Sequence, residues 1–321
     1  MTEIAVIVPT HNRSQLLALT LQSILAQQGV DLVVAVVDDG SSDPQAVPKV
    51  IEGFRDSRVL LRRHDSPRGV SAARNTGIAS TSSEWLGFCD DDDVWAPEKL
   101  KAQLAVARSG AVGWAYTGHV SVDSELRIVD GAPPLLPREL VDAVEYYNSV
   151  PAGSSNVIVR RRVLDAVGSF DASLLSAEDW DLWIRLARHG LPAFVPEPLV
   201  GCRVHGVSIT RDRRLVLAEV AIVARRQRVP VDWARHVRWA AWNSMLEGQR
   251  LEALSHYCHA IARGDLASIG RFAVALVHPG IVRRRGGMSI TDWTRRAEAW
   301  LGALRAAASA PRVVSLNSHR H

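Results

Sequence analysis

Ile4-Ala5-Val6-Ile7-Val8-Pro9-Thr10-His11-Asn12-Arg13 is the stretch that decides the fold. Its unbroken apolar run, mostly β-branched, reads as a strand buried on both faces, as in parallel sheets. Pro9 ends the run. Leu17, Leu21, Ile24 and Leu25 then recur at helical spacing, with Asn12 and Gln15 as a capping-box pair ahead of them and Gly29 behind. A second apolar run, 32–37, leads into Asp38-Asp39-Gly40-Ser41-Ser42-Asp43. Strand, helix and strand at this spacing predict a right-handed crossover and an open α/β sheet. Ligands of such sheets bind beyond the carboxyl ends of the strands, where Pro9, Thr10, Asp38 and Asp39 lie.

The same reading extends outward. Trp85-Leu86-Gly87-Phe88 is another buried strand, and Cys89-Asp90-Asp91-Asp92-Asp93-Val94-Trp95 follows it. The strand delivers several negative charges to one spot at its carboxyl end. Such a cluster repels itself unless a cation sits there. Oxygen-only ligands suit Mg²⁺ or Mn²⁺, which usually shares its shell with phosphate oxygens; the plain alternative is a solvated acidic turn. Between these strands, 44–54 reads as a helix and 59–62 as a strand. Arg68-Gly69-Val70-Ser71-Ala72-Ala73-Arg74-Asn75-Thr76-Gly77 reads as a close-packed helix start. A helix N-terminus with arginines nearby is either an anion site or an ordinary cap with surface charges.

Farther on, the spacing predicts a helix from Pro97 to Arg108, strands at 112–116, 119–122 and 155–160, and a helix ending at Val167. Pro133-Pro134-Leu135-Leu136-Pro137 is a loop. In Ser176-Ala177-Glu178-Asp179-Trp180-Asp181-Leu182-Trp183-Ile184-Arg185, residues Trp180, Trp183, Ile184 and Ala187 share one helical face. Glu178 and Asp179 occupy the first turn, and Ser176 with Asp179 makes a capping box that would fix the carboxylate. Short strands at 194–196 and 199–204 lead to His205. From 215 onward strand signals vanish, and helices are predicted near 215–228, 231–247, 250–263, 266–277 and 290–308. We expect an α/β domain over 1–214 and a helical region over 215–321, its end from Arg312 a loose tail.

Bulk properties limit the choices. The chain has 321 residues, 47% hydrophobic and 22% charged, as in a globular protein with ample core. Net charge is +4, with a pI near 9.2. The arginines concentrate late, as in Arg225-Arg226-Gln227-Arg228 and Arg283-Arg284-Arg285. That pattern fits an anionic neighbour such as a membrane surface, or a solubilising face. No nucleic-acid-binding motif accompanies it. Three dispersed cysteines give no disulfide framework or zinc spacing, and a reducing compartment fits. The first residues lack a basic n-region, and no apolar run reaches the ~20 residues of a membrane span.

Four segments together resemble the family 2 glycosyltransferases: Val6 to Arg13, Val36 to Asp43, Arg68 to Gly77, and Phe88 to Trp95. Glu178-Asp179-Trp180-Asp181 looks like that family's Glu-Asp motif. The resemblance covers roughly 4–210 and none of 215–321. It implies a GT-A fold: a Rossmann-like, open, mostly parallel sheet flanked by helices, here with an α-helical C-terminal extension. It also implies inverting transfer of a sugar from a nucleotide-diphosphate sugar (UDP, dTDP or GDP) to a glycan or lipid-linked acceptor, as in bacterial surface polysaccharide or glycolipid synthesis. By the same resemblance, Pro9, Thr10, Arg13, Asp38, Asp39, Arg74, Asn75, Asp90 and Asp91 would bind the nucleotide sugar. Asp92 would hold Mn²⁺ or Mg²⁺, with His205 also near metal or diphosphate; four successive aspartates leave the Asp-x-Asp register open by one. Asp179 matches the catalytic base, with Glu178 beside it. The expected location is cytoplasmic, with peripheral contact at the inner face of the membrane through the Arg-rich C-terminal region. A non-catalytic nucleotide-sugar or glycan-binding module on the same fold is the alternative. A nucleotidyltransferase is disfavoured, because Pro9-Thr10-His11-Asn12-Arg13 stands where its Gly-rich loop would be.

Overall fold

The computed structural model describes residues 2–204, 212–277 and 291–309. The first half runs β1 (Ile4–Thr10), α1 (Ser14–Leu25), β2 (Leu32–Asp38), α2 (Ala46–Phe54), β3 (Val59–Arg63), α3 (Val70–Ala79), β4 (Trp85–Phe88), β5 (Val94–Trp95) and α4 (Lys99–Ser109). Next come β6 (Trp114–Val122), β7 (Ile128–Ala132), α5 (Pro137–Val144), a 3-10 turn (Gly153–Asn156), β8 (Ile158–Arg160), α6 (Arg161–Val167), α7 (Glu178–His189) and β9 (Ala193–Arg203). Helices α8 (Arg213–Gln227), α9 (Trp233–Leu246), α10 (Arg250–Ala262), α11 (Ala267–Val277), α12 (Asp292–Arg295) and α13 (Glu298–Ser309) complete the described chain.

The strands form one sheet in the order β3-β2-β1-β4-β8-β6-β9-β5, with β7 on β6. Strands β1 to β4 are parallel to one another. Beyond β4 the sheet turns mixed: β8 runs antiparallel to β4 and β6, and β5 antiparallel to β9, while β6 and β9 are parallel. The expectation of a mostly parallel sheet therefore holds only for the first half. Strand β1 is buried along its whole length. Because successive side chains alternate across a strand, Ile4, Val6 and Val8 pack with α1 and α4 residues on one face. Ala5 and Ile7 face the opposite core with Trp180, Trp183 and α8.

The run of small residues in α3 has a steric cause. A Cβ on Gly77 would lie 2.4 Å from a methyl of Ile7, so the helix can press onto the sheet only without one. Several predicted elements change shape. The strands expected at 112–116 and 119–122 form the single β6, and those at 194–196 and 199–204 form the single β9. Their pairing shifts register around Gly118, opposite Pro196 and Pro198, where proline has no donor for the ladder. The strand expected at 155–160 keeps only Ile158–Arg160. Before it, Asn156 turns its amide inward, accepting from Thr117 N (2.7 Å) and donating to the carbonyl oxygens of Thr117 and Pro151.

The capping box expected from Asn12 and Gln15 is absent. Asn12 sits at φ 55°, Arg13 is the N-cap of α1, and the Asn12 side-chain Oδ1 accepts from the Ser42 N–H and hydroxyl, both at 2.9 Å. Asn12 thus ties the loops after β1 and β2 together instead of starting a helix. The last helices return to the sheet: Ala297, Trp300 and Leu301 pack with Val94, Val120 and Leu199. Among the described residues, no helix is long and apolar enough to cross a membrane. The Arg283 region invoked for membrane contact lies outside the described residues.

Candidate active site

The carboxyl ends of β1, β2 and β4 lie side by side in the sheet, and the turns that follow them bond to one another. Beyond β1, Thr10 donates to Asp91 Oδ2 at 2.6 Å. Asp39 accepts from the Arg68 N–H (2.9 Å), the Gly69 N–H (2.8 Å) and His64 Nδ1 (2.6 Å). Its carboxylate thereby braces the loop that opens α3. Asp38 is buried, accepting from the Ser41 N–H at 2.9 Å and from the Arg63 guanidinium. Asn75 clamps Phe170, donating to its carbonyl oxygen and accepting from its N–H. Pro9 is a buried part of β1.

The acidic turn does not present four charges together. Burial alternates: Asp91 and Asp93 point in, while the side chains of Asp90 and Asp92 are 38% and 16% exposed. Burial raises Asp91 to a pKa of about 7, aided by the Asp92 charge and opposed by Thr10 and Arg13. Burial likewise pushes Asp93 well up. Arg13 pairs with Asp92 at 3.0 Å and with Asp91 at 3.4 Å. Strand β9 brings Arg203 to the same turn: its N–H donates to Asp93 Oδ1, and its guanidinium to the Asp92 carbonyl oxygen. His205 lies outside the described residues.

No group of three or more His, Cys, Asp or Glu side chains able to hold a metal occurs among the described residues. Asp90 and Asp92, separated by one residue and held here by Arg74 and Arg13, still fit a hard divalent ion that would take one or both in place of an arginine, since such an ion binds one or two carboxylates and completes its shell with water and phosphate. The donor set therefore suits Mg²⁺ or Mn²⁺ shared with a ligand's phosphates.

Arg74 connects this turn to α7. It is 3% exposed, stacks over the Phe170 ring at 5.0 Å, and donates to Asp90 Oδ1 (2.7 Å) and Glu178 Oε1 (2.6 Å). Burial raises Glu178 to a pKa of about 7 despite Arg74, and the Asp179 charge adds to the rise. Asp179 is raised too, burial again first. Its Oδ2 accepts from Asn148 Nδ2 at 2.9 Å and its Oδ1 from the Trp180 N–H at 2.6 Å.

The capping box expected from Ser176 and Asp179 is not formed. Ala177 is the N-cap of α7, without a side-chain cap. The role falls to Glu219 of α8, whose carboxylate accepts from the N–H groups of Leu175, Ser176 and Ala177 and from the Ser176 hydroxyl, at 2.8–3.1 Å. Sequence reasoning missed Glu219, Asn148 and Arg203. Each sits in an unremarkable local pattern, and only the fold brings it to the site.

Comparison with known proteins adds family information. The family model described as Glycosyl transferase family 2 matches residues 5–168. A glucosyltransferase of Escherichia coli, WfgD, named for transfer from UDP-Glc to α-D-GlcNAc-diphosphoundecaprenol, is 24% identical over 58% of this chain and 70% of its own length. The succinoglycan biosynthesis protein ExoO of Rhizobium meliloti is 30% identical over 69% of this chain and 66% of its own. Among solved structures, the mannosyltransferase PcManGT of Pyrobaculum calidifontis, in complex with GDP-Man and Mn²⁺, superposes with a TM-score of 0.55 at 20% identity, covering 95% of this chain and 86% of that one.

Proposed function

The chain belongs to Glycosyl transferase family 2 and is a GT-A glycosyltransferase, and from that premise we propose that it moves a sugar from a nucleotide-diphosphate sugar to a glycan or lipid-linked hydroxyl, with inversion. The observation that carries this reading is the Arg74 bridge. One buried guanidinium holds Asp90 of the acidic turn and Glu178 of α7 at 2.7 and 2.6 Å. A diphosphate held at the turn therefore lies next to the helix that carries Asp179.

In this reading, Thr10, Arg13 and the loop braced by Asp39 bind the nucleotide, and Asp90 and Asp92 face its diphosphate. A divalent ion held there by Asp92 would supply Lewis-acid stabilisation of charge on the leaving phosphate. Asp179 takes the proton of the acceptor hydroxyl as its oxygen bonds to the anomeric carbon. The carbon–oxygen bond to the diphosphate breaks, and its electron pair leaves with the nucleoside diphosphate. A single displacement from the opposite face inverts the centre. Glu178 is held by Arg74, so Asp179 is the carboxylate left for the base. The raised Asp179 pKa makes it a stronger base than an exposed aspartate.

Acceptors in bacterial surface-polysaccharide assembly are proposed from the relatives' names, together with a cytoplasmic, membrane-facing location. The test is calorimetric titration with UDP, GDP and dTDP, with and without Mn²⁺, followed by assay of the matching nucleotide sugars. Asp92→Asn should lose metal-dependent nucleotide binding. Asp179→Asn should keep that binding and lose transfer. Full transfer by Asp179→Asn would remove the base assignment.

A further inference from the structure

A cavity of about 280 Å³ opens beside Asp179, and the nucleotide reading leaves it without a ligand. Its inner wall is the start of α7, with Asp179 and Trp180; its outer wall is built by α8 and α9. Tyr147, Arg235, His236 and Trp239 are among its lining residues. The volume falls just under the ~300–1,000 Å³ usual for small-molecule pockets, which suits one sugar ring and not an oligosaccharide.

Three observations define its chemistry. First, the lining is aromatic: the Trp180 and His236 rings lie 5.5 Å apart, and Tyr147 and Trp239 are partly exposed. Flat apolar faces beside polar groups match a pyranose, which has C–H faces and a hydroxyl rim. Second, His236 Nε2 is buried without a hydrogen-bond partner. Burial lowers the pKa of this ring, opposed by the Tyr146 backbone and the Asp232 charge, so a neutral imidazole stands in this wall. A buried polar atom left unpaired is costly; this one has no surface open to the cavity, so a ligand hydroxyl would satisfy it only if the ring turned. Third, Arg235 stacks on Tyr147 at 3.6 Å and forms no ion pair among the described residues, whereas Arg226 and Arg238 on the neighbouring helical faces pair with Asp171 and Asp265.

We propose that this cavity is the acceptor subsite, seating one pyranose ring that carries an anionic substituent facing Arg235. The proposal rests on the transferase reading above. It makes α8 and α9 the elements that choose the acceptor. A hydroxyl of the seated ring would give its proton to Asp179 and its oxygen to the donor's anomeric carbon, while the nucleoside diphosphate departs with the bonding pair. The substituent's chemistry, a carboxylate or a phosphate ester, can come from a uronic acid or from a glycosyl phosphate.

Binding is measured first, because it does not require turnover. Saturation-transfer NMR and calorimetry on the intact chain would use p-nitrophenyl glucoside, p-nitrophenyl glucuronide and decyl glucosyl phosphate. An anionic probe should bind at least about tenfold tighter than the neutral one, and which of the two prevails names the substituent. Trp239→Ala, which removes an aromatic wall, and Val216→Trp, which fills the cavity from α8, should each weaken that probe about tenfold, what a stacking contact is worth. Arg235→Ala should bring charged and neutral probes to the same affinity. Melting temperature identifies any variant that has simply unfolded, and the two wall variants perturb the site in opposite ways. Unchanged probe affinity in both wall variants, or no binding of either anionic probe to the wild type, overturns the proposal. Transfer is then assayed separately. Probe binding lost in the variants, with no transfer by the wild type from any nucleotide sugar, would keep the subsite and sink the transferase mechanism instead.

Discussion

At Asp179 the balance of environments sets the chemistry. Burial pushes its pKa up; the Asn148 amide, Arg74 and the Trp180 N–H pull it down. A hydrogen bond donated to an ionised carboxylate favours the charged form, so removing one raises the pKa further. Asn148→Ala should therefore move the acidic limb of the kcat/KM–pH profile to higher pH, because activity needs Asp179 ionised. An unmoved limb would show that some other group sets it. Gly153 tests the same carboxylate sterically. It lies at φ 50°, and a Cβ there would stand 2.8 Å from Asp179 Oδ2. Gly153→Ala is strained in backbone and displaces the base, so kcat should fall about 100-fold, the usual cost of a ~1 Å misplacement. Wild-type turnover by this variant would separate Asp179 from the chemistry.

Elements bring in residues that no local pattern announces. The start of α7 has no cap of its own, and Glu219 supplies one from the neighbouring helix. Hydrogen bonds to a charged acceptor contribute roughly 1.5–3 kcal/mol each, although a shared carboxylate does not give the sum. Glu219→Gln should lower kcat about tenfold with nucleotide affinity unchanged, and Glu219→Asp should recover part of the loss. A fall in melting temperature with normal kcat would make Glu219 structural only. Helix α4 holds the opposite case. Lys99 is fully buried, with Nζ bonded to Gln103 at 2.9 Å and lying 3.8 Å from the Trp95 ring centre. Burial lowers its pKa to about 7, against roughly 10.4 in the unfolded chain. Between those values the unfolded state binds more protons, so stability rises with pH from about 7 to about 10. Lys99→Met should remove that slope and leave the protein at least as stable at pH 7. A slope that persists in urea melts of the variant must come from other groups.

Across the whole molecule, what the sequence shows and what it hides divide along physical lines. Apolar periodicity is local, so Ile4 to Val8, the helix at Leu17 to Leu25 and the late helices could be read directly, and the motif order pointed to the family. The in-and-out alternation of Asp90 to Asp93 could not. It depends on Thr10 and Arg203, each some eighty or more residues away in the chain, which meet the turn only after folding. The merging of four short strands into β6 and β9 was hidden because Gly118 and the prolines at 196 and 198 look like breaks until the bulge accommodates them. The expected boundary near 214 likewise says nothing about where the last helices go. Helices α12 and α13 lie over the β6–β9–β5 edge, with Trp293 Nε1 donating to the Pro196 carbonyl oxygen at 2.8 Å and Trp300 Nε1 to that of Pro198 at 3.1 Å. These bonds fall on the irregular part of β9, where prolines leave the ladder incomplete. The C-terminal helices therefore complete the core formed with Val94, Val120 and Leu199, and we expect the chain to melt in one calorimetric transition. Trp300→Ala should cost about 3–5 kcal/mol in urea unfolding, the range for removing a buried tryptophan, and should lower that single transition without splitting it. A separate early transition that leaves the sheet intact would instead make α13 an independent appendage, and Val94, Val120 and Leu199 would then have to hold their core without it.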